Sequence, residues 1–328
     1  MIKTDDIVTD CSNNAALLFE IVPPVEGNQK KRLRSHQKYI SRLLRETDVN
    51  ALNLPEIQNE SKKGEKGKRR KPYKKRVSPR KYTQSLSAAF NTNYVINLVC
   101  VKHDPGKLEN WLLETHDQFD ISHIILVGGE SSSERYDGLS VCEGNKLVKN
   151  YLNSGIRKYQ NETIAPTNFT LGNICIPTRR RPDYDEPERM FDKFDAGADF
   201  FTSQIITEAE TPVSLMKDFS SLLMQNQIEN PPAIFWSFTP ISSKKDVDFL
   251  RWLGVYIPER TEKFILGSEN PASASLETVQ RICDKLLDFN SQLPVPLPMG
   301  FNISVMGLRN FENGIRLAKH LEIEGVES

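Results

Sequence analysis

The chain has 328 residues, enough for one large α/β barrel or two smaller domains. Its 43 Lys+Arg balance 43 Asp+Glu for a net charge of +0, which gives no overall electrostatic case for nucleic acid or a membrane surface. No apolar run approaches the roughly 20 residues that span a bilayer. The acidic start MIKTDDIVTD lacks the apolar stretch of a secretory signal, so the expectation is a soluble, cytoplasmic protein. Cys11, Cys100, Cys142, Cys175 and Cys283 are odd in number and show no CxxC spacing. Cys100, Cys175 and Cys283 fall within apolar periodic segments and read as small core residues in a reducing compartment.

Residues 1–14 read as a flexible polar start. LLFEIVPP (17–24) is a short strand stopped by Pro23 and Pro24, and residues 30–46 form a helix with Leu33, Tyr39, Ile40, Leu43 and Leu44 roughly on one face. NALNLPEI (50–57) is a second strand, followed by a very polar stretch over 58–77. Ser78 and Pro79 have the character of an N-cap and first helical residue. YVINLVCV (94–101) is the third strand, and Asp104-Pro105 opens the helix that follows. HIILVGGE (123–130) is the fourth strand, with a helix over 141–153. NICIPT (173–178) is the fifth, and the helix over 185–197 after it ends at Gly197. DFFTSQII (199–206), AIFWSFTPI (233–241) and FNISVMGL (301–308) are the remaining strands, each with an amphipathic segment behind it.

Eight strands, apolar on both faces and alternating with helices, predict a (β/α)8 TIM barrel over residues 15–328, with a basic loop insert at about 58–77. A doubly wound open sheet fits less well, because no GxGxxG follows the first strand. In a barrel the chemistry sits at the C-terminal ends of the strands. Those ends carry Glu20; Asn53 and Glu56; Lys102 and His103; Gly128, Gly129 and Glu130; Thr178 and Arg179; Gln204; Thr239 and Ser242; and Arg309. The set is rich in acids and amides, lacks a Ser-His-Asp pattern and has no histidine cluster of metal-ligand spacing, which argues against triad hydrolysis and zinc catalysis.

FEIVPP (19–24), HIILVGGE (123–130) and FDKFDAGADFFTSQ (191–204) together resemble the barrel of methylenetetrahydrofolate reductases, over about residues 15–325. The resemblance implies an oxidoreductase in which NAD(P)H reduces FAD and the flavin passes hydride to methylenetetrahydrofolate. It implies catalytic roles for Glu20, as the general acid when the folate ring opens, and for Gln204 and Glu130. Cofactor contacts would come from Gly128, Gly129, Lys193, Glu186 and Arg189, with Lys193 near the FAD phosphates; substrate contacts would come from Gln204 and Arg309. A carboxylic acid neutral at pH 7 needs a raised pKa, which burial beside Phe19 and Ile21 would supply. On the residues alone, Glu20 also fits a salt-bridged structural carboxylate, Gln204 a capping amide and Lys193 a solvated helix lysine. Asp199 reads as a backbone-positioning residue.

The chain departs from the family at several points. Gly128-Gly129-Glu130 stands where the family carries Arg-Gly-Asp, Ile205, Ile206 and Thr207 where it carries aromatics, and Lys244 where bacterial members carry a phenylalanine. These departures keep open a second reading, a flavin-free folate-binding or partner-dependent subunit of a one-carbon-transfer system. A homo-oligomer is also compatible with the sequence.

The stretch SKKGEKGKRRKPYKKRV (61–77) has one acid among its many lysines and arginines. It reads as a solvated loop. Nucleic-acid binding is the weaker alternative, because only Tyr73 is available for stacking. Its place after the second strand suggests a third role, long-range attraction of an acidic folate tail or a cofactor phosphate. If so, neutralising Lys68, Arg69, Arg70 and Lys71 weakens polyglutamylated folate more than the monoglutamate, most strongly at low salt. Equal, unchanged apparent affinities for both would contradict that role.

Overall fold

The apolar runs become parallel strands because each is covered on both faces, by helices outside and by packed side chains inside. The computed structural model describes residues 7–13, 16–27, 29–59, 73–129, 136–180, 184–305 and 307–324. In chain order the elements are α1 (Ile7–Asn13), β1 (Ala16–Ile21), α2 (Gln29–Glu46), β2 (Ala51–Leu54), α3 (Pro79–Ser87), β3 (Asn93–Val99), α4 (Pro105–Phe119), β4 (His123–Val127), α5 (Val141–Lys146), a hairpin of β5 (Ile156–Arg157) and β6 (Glu162–Thr163), β7 (Thr170–Cys175), α6 (Glu186–Asp195), β8 (Phe200–Ser203), α7 (Glu210–Gln225), β9 (Ala233–Phe238), α8 (Lys244–Trp252), α9 (Glu259–Gly267), α10 (Pro271–Asn290), β10 (Met299–Val305) and α11 (Phe311–Glu324). Eight strands close into a barrel in the order β1-β10-β9-β8-β7-β4-β3-β2, every neighbouring pair parallel. The fold is the (β/α)8 barrel.

Local chemistry sets the element ends. The Ser78 hydroxyl accepts the Lys81 N–H ahead of Pro79, and Asp104 Oδ1 accepts the Lys107 N–H at 3.2 Å ahead of Pro105. Gly197 follows α6 with φ +112°, a conformation that side chains disfavour. Asp199 Oδ2 accepts the Leu171 N–H at 2.7 Å and the Lys149 ammonium at 2.6 Å, so this carboxylate fixes backbone at the start of β7.

Along the strands, alternate residues face the barrel axis. Ala16, Leu18, Ala51, Val95, Ile125, Phe200, Ala233 and Phe235 form one buried cluster inside, while Leu17, Phe19, Ile21, Leu52, Ile96 and Leu98 pack outward with the helices. The Phe200 and Phe235 rings meet edge to face at 5.6 Å. Gly300 makes room for them, since a Cβ there would lie 2.7 Å from the Phe235 ring.

Three expectations need correction. Residues 7–13 are helical, not loose. Ile7 and Cys11, one turn apart, insert into the same inner cluster and close the N-terminal end of the barrel. Three apolar residues, Ile7, Val8 and Cys11, among Thr9, Asp10 and Ser12 make too short a stripe to read as a helix. The fifth barrel strand runs over Thr170–Cys175, because Thr170 and Leu171 pair with β4 and the run breaks ahead of Pro177. Helix α9 and the β5–β6 hairpin also lie where no element was expected.

Of the basic stretch, residues 60–72 lie outside the described residues, as do residues 1–6, 14 and Glu130. The described flanks are anchored on the C-terminal side of the barrel. Tyr73 Oη donates to the Ile57 carbonyl at 3.1 Å, and Arg76 Nη1 to the Pro23 carbonyl at 2.7 Å. Cys11, Cys100, Cys175 and Cys283 are buried. Among the described residues, no helix is long and apolar enough to cross a membrane. Phe235→Ala, which empties the centre of the inner cluster, is expected to cost about 3–5 kcal/mol in urea unfolding.

Candidate active site

Followed toward the C-terminal ends of the strands, the inner rows change from apolar to polar. Leu18 is succeeded by Glu20 on β1, Ala51 by Asn53 on β2, Val95 by Asn97 on β3, Phe200 by Thr202 on β8, Phe235 by Ser237 on β9, and Gly300 by Asn302 and Ser304 on β10. Thr239 and Gln204 continue the rows just past β9 and β8. Glu20, Asn53 and Ser304 are neighbours across the sheet, because Glu20 pairs with both of the others.

Part of this layer is bonded internally. Asn302 Nδ2 donates to Ser237 Oγ at 3.0 Å and to Glu20 Oε2 at 3.4 Å, and Asn53 Nδ2 donates to Asn302 Oδ1 at 3.4 Å. The rest is unsatisfied. Asn53 Oδ1, Asn97 Oδ1, Thr202 Oγ1 and Thr239 Oγ1 are buried without a hydrogen-bond partner. A buried polar atom left unpaired costs free energy comparable to a lost hydrogen bond, so these four atoms at one barrel end are positions for water or a polar ligand to complete.

Burial is the largest influence on Glu20 and raises its pKa above the ordinary 4.5, while hydrogen bonds from Asn302 and Ser304 pull it down. The net direction is upward, toward a carboxylic acid that keeps its proton. This is the environment expected for a general acid.

The other expected site residues have different surroundings. Gln204 stands at the end of β8, its Nε2 donating to the Leu253 carbonyl at 3.4 Å and its Oε1 accepting the Ile205 N–H at 3.0 Å, so its amide tethers the connection between α8 and α9. Lys193 belongs to α6, outside the barrel wall, where Nζ donates to the Ile174 carbonyl at 2.7 Å. Desolvation lowers its pKa. Glu186 is fully buried and accepts the Ile176 N–H at 2.9 Å and the Arg179 guanidinium at 3.0 Å. The Arg189 guanidinium lies 4.1 Å from the Tyr184 ring centre. These three side chains organise the loop between β7 and α6. Gly128 and Gly129 follow β4, and at Gly129 the Tyr136 ring fills the space a side chain would need.

Arg309, in the turn after β10, donates to Asp246 Oδ1 at 2.8 Å with most of its side chain exposed. Asp246 is buried at the start of α8, where Oδ2 accepts from Ser242 and Ser243, and these contacts hold its pKa low. Lys244 is paired with Glu262 at 2.6 Å. Glu56 likewise serves the backbone, accepting the Val99 N–H at 3.0 Å.

Of the expected residues among those described, Glu20, Asn53 and Thr239 contribute open or acidic atoms to the inner polar layer. Asn97, Thr202, Ser237, Asn302 and Ser304 were not anticipated. The sequence signal for them is period-2 spacing: each is a polar residue in the inward row of an otherwise apolar strand.

No protein-family model matches the chain, and no curated protein matches it in sequence. Among solved structures, an uncharacterised protein from Clostridium thermocellum that binds two copies of 5-methyl-5,6,7,8-tetrahydrofolic acid is similar with a TM-score of 0.76, at 18% identity over 97% of this chain and 100% of that one. Apo-MsnO8 is similar with a TM-score of 0.54 at 12% identity, covering 94% of this chain and 98% of its own. Riboflavin lyase (RcaE), with modified FMN and riboflavin, follows with a TM-score of 0.51 at 8% identity, covering 96% and 93%. At these identities the likeness is one of fold.

The raised pKa of Glu20 has a consequence for stability. The folded state holds a proton that the unfolded chain releases near pH 4.5, so stability from this group is complete below that pH and is lost as pH rises through the folded pKa. Glu20→Gln removes this dependence. Relative to wild type, its urea midpoint is expected to be higher at pH 8 than at pH 4; a difference independent of pH would contradict the assignment.

Proposed function

We propose that the C-terminal mouth of the barrel binds a reduced folate and that the chain is a methylenetetrahydrofolate reductase-like oxidoreductase. It would convert 5,10-methylenetetrahydrofolate to 5-methyltetrahydrofolate with NAD(P)H as the reductant. The observation that carries this reading is Glu20, a carboxylic acid with a raised pKa inside a layer of unpartnered amide and hydroxyl groups. Two further points support it: the FEIVPP context of Glu20 and a structure of the same fold whose ligand is 5-methyltetrahydrofolate.

In this chemistry the bond between the methylene carbon and one ring nitrogen breaks, and that nitrogen takes the proton from Glu20. The hydride that completes the methyl group originates in the reduced nicotinamide. Asn53, Asn97, Thr202 and Thr239 supply hydrogen bonds to the polar edges of the bound ring system. Arg309 offers an exposed cation to an acidic tail.

Three of the residues that the resemblance assigns to FAD have partners within the protein. Lys193, Glu186 and Arg189 are committed to the Ile174 carbonyl, the Ile176 N–H and the Tyr184 ring, respectively. That commitment favours, as a second reading, a flavin-free protein that either takes hydride directly from the nicotinamide or serves as the folate-binding subunit of a one-carbon-transfer system.

Glu20→Gln and the wild type together separate a reductase, with or without flavin, from a binding subunit. As a reductase, the variant binds 5-methyltetrahydrofolate within about threefold of wild type by calorimetry, while methylenetetrahydrofolate-dependent oxidation of NAD(P)H falls roughly 100-fold or more. Intact binding with no nicotinamide oxidation in the wild type supports the binding subunit. Absence of folate binding overturns both readings.

A further inference from the structure

Asn302 is 1% exposed, and side chains from three other strands meet on its single amide. Nδ2 carries the bonds to Ser237 Oγ on β9 and Glu20 Oε2 on β1, while Oδ1 takes the bond from Asn53 Nδ2 on β2. An amide presents donors at nitrogen and an acceptor at oxygen, so these contacts decide which end faces Glu20. Turned over, Asn302 would set its oxygen against the Glu20 oxygen and its nitrogen against the nitrogen of Asn53. In this arrangement Asn53 occupies the oxygen of Asn302 and leaves its nitrogen toward Glu20, without touching Glu20 itself.

We propose that Asn302 is the positioning residue for Glu20: oriented by Asn53 and Ser237, it keeps an N–H donor on Oε2, so that the acid carries its transferable proton on Oε1. A carboxyl group whose one oxygen accepts from a fixed donor protonates at the other. Asn302 therefore selects the oxygen that delivers the proton and opposes the effect of burial, keeping the acid within reach of ionisation. Besides burial, Asn302 and Ser304 are the groups that bear on Glu20, and no charged side chain among the described residues is one of them.

This inference rests on Glu20 being the proton donor of the proposed reaction, but its test uses the ligand-free protein. The Glu20 carboxyl is titrated by carbon NMR with carboxyl-labelled glutamate, its resonance assigned by its loss in Glu20→Gln. In Asn302→Leu the midpoint is expected to rise by about one pH unit, because the ionised form loses a donor. In Asn53→Leu it rises by a smaller amount, because the freed amide can turn its oxygen to the protonated acid. The second variant leaves Glu20 and Asn302 in place and decides the matter if the first does not fold. An unchanged or lowered midpoint in Asn53→Leu overturns the relay, and the same result in a folded Asn302→Leu overturns the role of Asn302. Failure of folate binding would leave these titrations unaffected, so the two readings fail separately.

Discussion

A closed barrel places every second side chain of each strand in a space too narrow for bulk water, and whatever stands there must be either apolar or hydrogen-bonded. The chain meets this constraint in two ways along the barrel axis. The lower half is filled by Leu18, Val95, Ile125, Phe200 and Phe235, with Ile7 and Cys11 of α1 closing the end. The upper half holds Glu20, Asn53, Asn97, Thr202, Ser237 and Asn302, some bonded to one another and some open. Burial desolvates Glu20, and hydrogen bonds from the Asn302 amide and the Ser304 hydroxyl limit how far its pKa rises. Acidity at the mouth therefore depends on packing below it.

The residues outside the barrel have a supporting role that their sequence motif does not advertise. In the segment FDKFDAGADFFTSQ, Gly197 supplies the left-handed turn, Asp199 ties the start of β7 to Lys149, and Lys193 bonds the Ile174 carbonyl near the end of β7. A motif of this kind fixes how α6 and β8 lie against β7. Resemblance to it is evidence of shared architecture as much as of shared chemistry. Helices α8 and α9 add a second, smaller core of Ile241, Val247, Leu250, Val255, Ile257 and Ile265, attached to the end of β8 through Thr207 and Gln204.

Much of the fold was legible because the two repeating signals, apolar runs of strand length and amphipathic helical segments, alternate without a break. Caps such as Ser78 and Asp104 were legible for the same reason, being local chemistry. Helix α1 was not, because its stability comes from inserting Ile7 and Cys11 into a cluster assembled from distant strands. At the site, Glu20 was singled out from its place at the end of β1 and its FEIVPP context, and burial there raises its pKa. Asn302 and Thr202 escaped notice because a lone polar residue in an apolar run gains meaning only when closure of the barrel brings it beside Glu20 or leaves it open. Lys193 and Glu186 were singled out by resemblance to cofactor contacts, and their partners within the fold, the backbone and side chains around the end of β7, became visible only with the barrel closed.

The most direct test of this account is a crystal structure of the protein grown with 5-methyltetrahydrofolate. The account predicts the reduced ring system at the C-terminal mouth, within hydrogen-bond distance of Glu20 and with the open atoms of Asn53 or Thr202 newly paired. A ligand bound elsewhere on the barrel, or a mouth whose polar atoms stay unpaired with folate present, would contradict it.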